Sequence, residues 1–296
     1  MIMPRNIPDI AIIGAGVSGL ACAERLAEGG LQVQVLDKGR QAGGRVARRT
    51  RGGVSFEHGA PGRRDLIDRL TARVAVVSGC RITGIERTRD DRWRLRATDG
   101  PLRSHYAEVV LAMPPLQAAT LLQPGAPDLA GRLGAARMAP VLTAMVALPA
   151  PLGRGLDSMT FSDASLAEAR RQPTEHASGV EGWVLHASAA FSRDNLECDP
   201  DAVAQHLWER FRANLGLVIS TPVLLRGHRW RYGRTAEPLG IDCIHDATRG
   251  LGICGDWCLG DGVDEALASG RALAAHMLGI PERPAHRVMA TREGLA

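Results

Sequence analysis

The sequence predicts an α/β protein with a parallel sheet that carries a β-meander, into which a smaller α+β unit is inserted. Three observations predict it. An apolar run at 10–13 enters Gly14-x-Gly16-x-x-Gly19, a helical run follows, and a second apolar run at 33–36 ends on Asp37, 18 residues after the last of those glycines. Residues 73–99 alternate polar and apolar, with turn signals at Arg89-Asp90-Asp91 and Asp99-Gly100, which reads as a meander of strands. Near the far end, a strand at 251–256 runs into the acid Asp256, and Gly262 opens a helix with apolar residues at Val263, Ala266, Leu267, Leu273, Ala274 and Met277.

Strand, glycine turn, helix and acid together form a dinucleotide fingerprint in its full context, that of a Rossmann-type domain. Gly14 permits the tight turn, Gly16 lets the backbone approach a pyrophosphate, and Gly19 lets the helix lie close to its strand. The helix beginning at Val17 and Ser18 offers unpaired N–H groups and a partial positive charge to phosphate. Asp37 accepts from a ribose 2′-hydroxyl and repels a 2′-phosphate, which disfavours NADP.

With 296 residues, the chain is long enough for one large or two modest cored domains. Hydrophobic residues at 45% and charged residues at 23% describe an ordinary soluble protein. The longest apolar run, 140–148, is too short to span a bilayer, and the first strand begins without a signal-like segment, so a cytoplasmic protein without membrane contact is expected. The six cysteines contain no CxxC, and neither they nor the nine histidines have metal-ligand spacing; free thiols and no metal are expected. Lys38 is the only lysine. The arginines are spread among 32 acids with few aromatics between them, which argues against a nucleic-acid surface.

Past Asp37 come Gly43-Gly44-Arg45 and a short strand ending in Gly59-Ala60. These segments resemble the flavin amine oxidase superfamily, so the expected cofactor is FAD. The resemblance implies that Gly44 and Arg45 bind the pyrophosphate beside Asp37 and Lys38, that Gly59 and Ala60 lie against the isoalloxazine, and that the strand starting near Arg81 and Ile82 contacts adenine. An arginine fork suits phosphate oxygens, and small residues permit close approach to a flat ring. Between 61 and 73 there is only one short helical stretch, where family members usually spend many more residues, so the cover of the flavin is expected to be reduced.

The strand at 108–112 returns the chain to the nucleotide domain and ends on Ala112, and Pro114-Pro115 starts a helix near 116–122. Residues 124–127 read as a boundary. Strands follow at 141–148, 158–161 and 183–187, then a helix at 202–215 and a strand at 223–230. We therefore expect an FAD domain from 1–123 and 240–296, with a substrate domain at 124–239. The closing strand and helix resemble the second FAD motif of the superfamily. By that resemblance Gly255 and Asp256 hold the ribityl chain, and N–H groups of Gly262, Val263 and Asp264 face the pyrimidine end, with Asp261 as N-cap. Residues after 281 are polar and read as a tail.

Amine oxidases of this superfamily use a lysine that reaches the flavin through water, and two aromatic rings flanking the amine. Lys38 is in the nucleotide half, the tyrosine position near the last helix holds Gly262, and the only tyrosines are Tyr106 and Tyr232. The strings at 183–188 (WVLHAS), 228–232 (HRWRY) and 254–257 (CGDW) instead resemble bacterial renalase-type proteins. That resemblance implies oxidation of isomeric dihydronicotinamides, misreduced NAD(P)H, with electrons passed from FAD to oxygen to give hydrogen peroxide. His228, Arg229 and Arg231 would orient the substrate, with Trp257 or Trp230 walling the flavin. The alternatives are an FAD-dependent amine oxidase or dehydrogenase on another small substrate, and a non-catalytic flavin-binding partner protein.

Overall fold

A computed structural model describes residues 9–51, 53–59, 63–153, 155–173, 179–218 and 221–280. In chain order it runs β1 (Ile10–Ile13), α1 (Val17–Glu28), β2 (Val33–Asp37), β3 (Arg48–Arg51), β4 (Val54–Glu57), α2 (Arg64–Thr71), β5 (Val76–Ser78), β6 (Ile82–Arg87), β7 (Trp93–Ala97), β8 (Gly100–Tyr106) and β9 (Glu108–Leu111). It continues with α3 (Pro115–Leu122), α4 (Pro127–Leu133), β10 (Arg137–Leu148), β11 (Ser158–Thr160), β12 (Leu166–Gln172), β13 (Glu181–Ala187), α5 (Ala189–Asp194), α6 (Pro200–Leu215) and β14 (Leu224–Glu237). The last elements are β15 (Ile244–Asp246), β16 (Leu251–Ile253), α7 (Asp256–Leu259) and α8 (Val263–Leu278).

The first sheet has the order β15-β16-β9-β1-β2-β5 and is parallel except for β15, which runs against β16. All four residues of β1 are buried because helices or strands cover both faces, which is why this strand reads as an unbroken apolar run. On one face Leu20 and Leu26 of α1 pack with Leu273 and Ala274 of α8. On the other, Trp93, Leu95 and Tyr106 of the meander β6-β7-β8 join Leu122 of α3.

The second sheet, β11-β12-β13-β10-β14, is antiparallel and built from residues 137–237. Its strands alternate, so one face carries Leu142, Ala144, Trp183 and Leu185 against Leu207, Trp208 and Phe211 of α6. The opposite face carries Met145, Ala147 and Val184 against Val54 and Phe56 of the β3-β4 hairpin. Asp199 caps α6, its carboxylate accepting from the Ala202 N–H at 2.9 Å, and Gly216 closes it at φ +63°.

Several elements differ from the expectation. α4 lies past the boundary expected at 124, yet Leu129 and Leu133 bury into the same core as α3, so the chain leaves the nucleotide layer only at β10. β12 (LAEARRQ) holds mostly residues that favour helices, and it is a strand because it pairs with β11 and β13. β14 continues past Trp230 to Glu237 through an irregular register opposite Val141, where Gly233 approaches the Val141 side chain. Asp256 opens the short α7 instead of ending a strand. Among the described residues, no helix is long and apolar enough to cross a membrane.

Candidate active site

The glycine turn leaves β1 at the C-terminal edge of the parallel sheet, where α/β folds bind nucleotides. Gly14 has φ +115°, and a Cβ there would meet the Ala112 carbonyl oxygen at 2.1 Å. Gly16, by contrast, has open space where its side chain would project, and it caps α1 without any side-chain hydrogen bond. The N–H groups of Val17, Ser18 and Gly19 therefore face an uncovered helix terminus, the first intrahelical bond being Leu20 N–H to the Gly16 carbonyl at 3.0 Å. Asp37 accepts from the N–H of Ala15 at 2.6 Å and of Gly39 at 2.5 Å, one on each carboxylate oxygen, so each oxygen keeps a lone pair for a ribose hydroxyl. Lys38 is exposed and donates to Gln117 at 2.9 Å. Cys80 donates its N–H to the Asp37 carbonyl, which brings Ile82, the first residue of β6, close to Asp37.

The segments of the first motif meet one another, and the first motif meets the second. Gly43 pairs with Gly16 in a parallel bridge, and Gly44 lies close enough that a Cβ would sit 3.2 Å from the Gly16 Cα. Arg45 donates to the buried Asp256 carboxylate at 2.5 Å, and the Thr235 hydroxyl donates to its other oxygen at 3.2 Å. Helices α1 and α8 cross where Gly270 faces Ser18, at a separation that would set a Cβ 2.1 Å from the Ser18 carbonyl oxygen. The Gly255 N–H donates to the Ser269 hydroxyl of α8 at 3.1 Å. Gly262 is the N-cap of α8, followed by Val263 and Asp264; Asp264 is held by Arg63 at 2.9 Å. Asp261, expected as the cap, instead accepts from the Thr235 N–H at 2.8 Å. An open glycine, an uncovered helix terminus, a ribose acid with free lone pairs and a second acid across the loop fit FAD.

Beyond Asp256 lies the face of the antiparallel sheet that α6 does not cover. Residues opposite one another across a sheet share a face, and Thr143 of β10 has His186 of β13 on one side and His228 of β14 on the other. Over this row stands His58, which follows Phe56 on the sheet-facing side of the hairpin. Its ring lies 4.7 Å from that of His228, edge to face, and 5.3 Å from that of Trp230, stacked; His228 and Trp230 are 4.4 Å apart. The Trp230 indole N–H donates to the His58 carbonyl at 2.9 Å. Next along the chain, Gly59 passes so close to Arg45 that a Cβ would sit 1.8 Å from its carbonyl oxygen. Ala60 lies outside the described residues.

Burial lowers the His58 imidazole to about 4; a hydrogen bond to the Phe56 carbonyl opposes the drop and the Arg49 guanidinium adds to it. His228 is lowered to about 4 by burial, then by His58 and Arg49. His186 falls to about 4 mainly by burial, with Glu168 opposing and Arg170, Arg234 and His58 adding. An unfolded histidine charges near 6.5, so between about pH 6.5 and 4 the unfolded chain binds more protons than the folded one. The stability these rings contribute is complete above the upper limit and is lost as pH falls through the window. Melting temperature should drop there, and the drop should be shallower in His58→Phe; an unchanged pH slope in that variant would contradict neutral burial of the ring.

Two of the expected catalytic residues are elsewhere. Alternation along β14 sends Arg229 to the face opposite His228, where it binds the Glu197 carboxylate at 3.1 Å and the Cys198 carbonyl at 2.8 Å, beside Arg231 on the same glutamate. Arg229→Ala should therefore leave the rate of flavin reduction unchanged, and a large loss of that rate would return the residue to the site. Trp257 is buried in the nucleotide core, its indole N–H donating to the Met113 carbonyl at 3.0 Å. His228 remains, with Trp230. Sequence reading missed His58, although it neighbours Gly59 and continues the inward alternation of Val54 and Phe56; it also missed Thr235, and singled out His186 only as part of the 183–188 string, without a role. A cleft of about 810 Å³ is lined by Glu108, His245, Gly250 and His276, at the strand ends opposite the nucleotide edge, away from this site.

A model described as NAD(P)-binding Rossmann-like domain matches residues 12–65, and one described as flavin containing amine oxidoreductase matches residues 60–278. A 4,4'-diapophytoene desaturase (4,4'-diaponeurosporene-forming) of Staphylococcus haemolyticus (strain JCSC1435) is 48% identical over 50 residues, 17% of this chain and 10% of the desaturase. The match thus spans about a tenth of that relative's length. Among solved structures, a putative protoporphyrinogen oxidase from Exiguobacterium sp. 255-15 superposes with a TM-score of 0.72 at 14% identity, covering 92% of this chain and 98% of the other. A putrescine oxidase triple mutant gives 0.70 at 15%, covering 92% and 99%. Cyclohexylamine oxidase from Brevibacterium oxydans IH-35A gives 0.66 at 12%, again covering 92% and 99%. At these identities the likeness shows the shared fold.

Proposed function

The chain belongs to the flavin containing amine oxidoreductase family and is an FAD-dependent oxidoreductase, and from that premise we propose that it is a renalase-like oxidase of isomeric dihydronicotinamides. Bound FAD supplies a hydride acceptor and a route for electrons to oxygen, giving hydrogen peroxide. The protein's part is to hold one flat ring over another and keep water out.

One observation carries the reading. The side chains that meet around His58 are neutral imidazoles and an indole, and the only lysine is bonded to Gln117, next to Asp37 in the chain. Tyr106 is buried in the nucleotide core with its hydroxyl on Gln34 at 2.5 Å. Loss of hydride from a dihydropyridine creates an aromatic ring and calls for orientation more than for a base. His58, His228 and Trp230 supply an aromatic, uncharged wall for such a ring.

A second reading, oxidation of a small amine, draws support from structural neighbours whose names are putrescine oxidase and cyclohexylamine oxidase. A third, a flavin-binding partner without turnover, remains as the null outcome of the test. Anaerobic mixing separates them: rapid bleaching by isomeric dihydronicotinamides supports the proposal, bleaching by amines alone overturns it in favour of the second, and bleaching by neither favours the third. Within the proposal, His228→Ala and His58→Ala should each slow flavin reduction by about 10- to 100-fold, the scale of a misplaced reacting ring. Unchanged reduction rates in both variants would remove the histidine wall from the mechanism.

A further inference from the structure

We infer that Arg49 anchors an anionic group of the substrate, so that the molecule oxidised here carries a phosphate or carboxylate as well as its reacting ring. The inference rests on the site assignment above and adds the charge class of what enters it. The β3-β4 register sets Arg49 opposite Phe56, and Arg48 opposite Glu57. Arg49 therefore shares the hairpin face that packs on the antiparallel sheet, the face from which His58 meets His228 and Trp230.

Three nearby arginines are engaged. Arg48 binds Glu57 at 3.0 Å, Arg45 binds Asp256, and Arg170 binds Glu168 at 2.5 Å. Arg49 is exposed and has no hydrogen-bond or ion-pair partner among the described residues. Glu168, the acid in the same cross-strand row as His186, is already neutralised by Arg170. Arg234, further along β14, is likewise without a partner among the described residues. The net field over the histidine row is thus positive. It lowers the local concentration of a protonated amine and raises that of an anion, and a guanidinium fork is shaped for two oxygens of a phosphate or carboxylate.

The test uses the FAD-loaded enzyme and two probes. Inorganic pyrophosphate should slow flavin reduction by competing with an anionic substrate, and its inhibition constant should rise about 10-fold in Arg49→Gln, with Arg49→Lys recovering part of the loss. In parallel, reduction by a phosphate-bearing dihydronicotinamide is compared with reduction by an uncharged N-alkyl analogue. The preference for the charged substrate should fall about 10-fold in Arg49→Gln, through the substrate concentration needed more than through the limiting rate. A mononucleotide that matches the dinucleotide places the anchored charge on the phosphate nearest the ring, and a carboxylate-bearing analogue that matches both assigns it to either anion, phosphate or carboxylate. Equal inhibition of wild type and Arg49→Gln by pyrophosphate, or an unchanged preference, overturns the inference. Reduction by amines but not by dihydropyridines would overturn the renalase-like reading alone, because pyrophosphate inhibition still reports on Arg49.

Discussion

Gly14→Ala should yield protein with less than about a tenth of the wild-type flavin and a stability lower by roughly 3 kcal/mol or more. Two costs coincide at this residue. Its φ of +115° lies in the region that L side chains rarely adopt, and a methyl group would sit 2.1 Å from the backbone oxygen of Ala112. That oxygen sits on backbone held beside β1, the Ala112 N–H being bound to the Ile13 carbonyl at 2.9 Å. The strand ends of β1 and β9 would have to separate. Gly16→Ala is the informative companion: nothing lies within 4 Å of its added methyl, so the fold should keep its melting temperature while the methyl occupies the space a pyrophosphate needs. Calorimetry with and without added FAD, together with flavin absorbance per chain, checks both. A Gly14→Ala protein as yellow and as stable as wild type would mean that the turn is not the cofactor cradle.

Arg45→Ala should destabilise the cofactor-free protein by about 2–3 kcal/mol, because it strands a carboxylate whose side chain is only 2% exposed. The Thr235 hydroxyl would be the remaining donor on Asp256. The figure lies below the roughly 3–5 kcal/mol of fully buried pairs because Arg45 itself is 31% exposed, so water already screens part of the interaction. Arg45→Ala combined with Asp256→Asn should cost less than the sum of the two single changes, since no buried charge is then left alone. Denaturant unfolding of the stripped protein isolates this term from the stabilisation that bound FAD adds by mass action. Strict additivity of the two substitutions would show that the pair does not tie the first motif to the second.

Much of the nucleotide layer was legible because its determinants are local. Gly14, Gly16 and Gly19 announce a turn by conformational need, and the unbroken apolar run of β1 announces burial on both faces. α8 was readable from its 3.6-residue periodicity. β12 and α4 were not, since neither carries a period strong enough to overrule composition or a proline-rich boundary. Within HRWRY the residue types pointed to a site, but the side of the sheet each side chain takes is set by pairing with β10. His228 and Trp230 turn toward the hairpin and Arg229 toward Glu197.

By itself the sequence determined the glycine turn, the acid that ends β2 and the helix that closes the fold, because each needs only the chemistry of neighbouring residues. Tertiary structure alone decided that Arg45 meets Asp256, 211 residues further along the chain, and that His58 joins His228 and Trp230. Such contacts depend on how a hairpin and a distant strand stack, and side-chain alternation converts that stacking into which residues face the site and which face away.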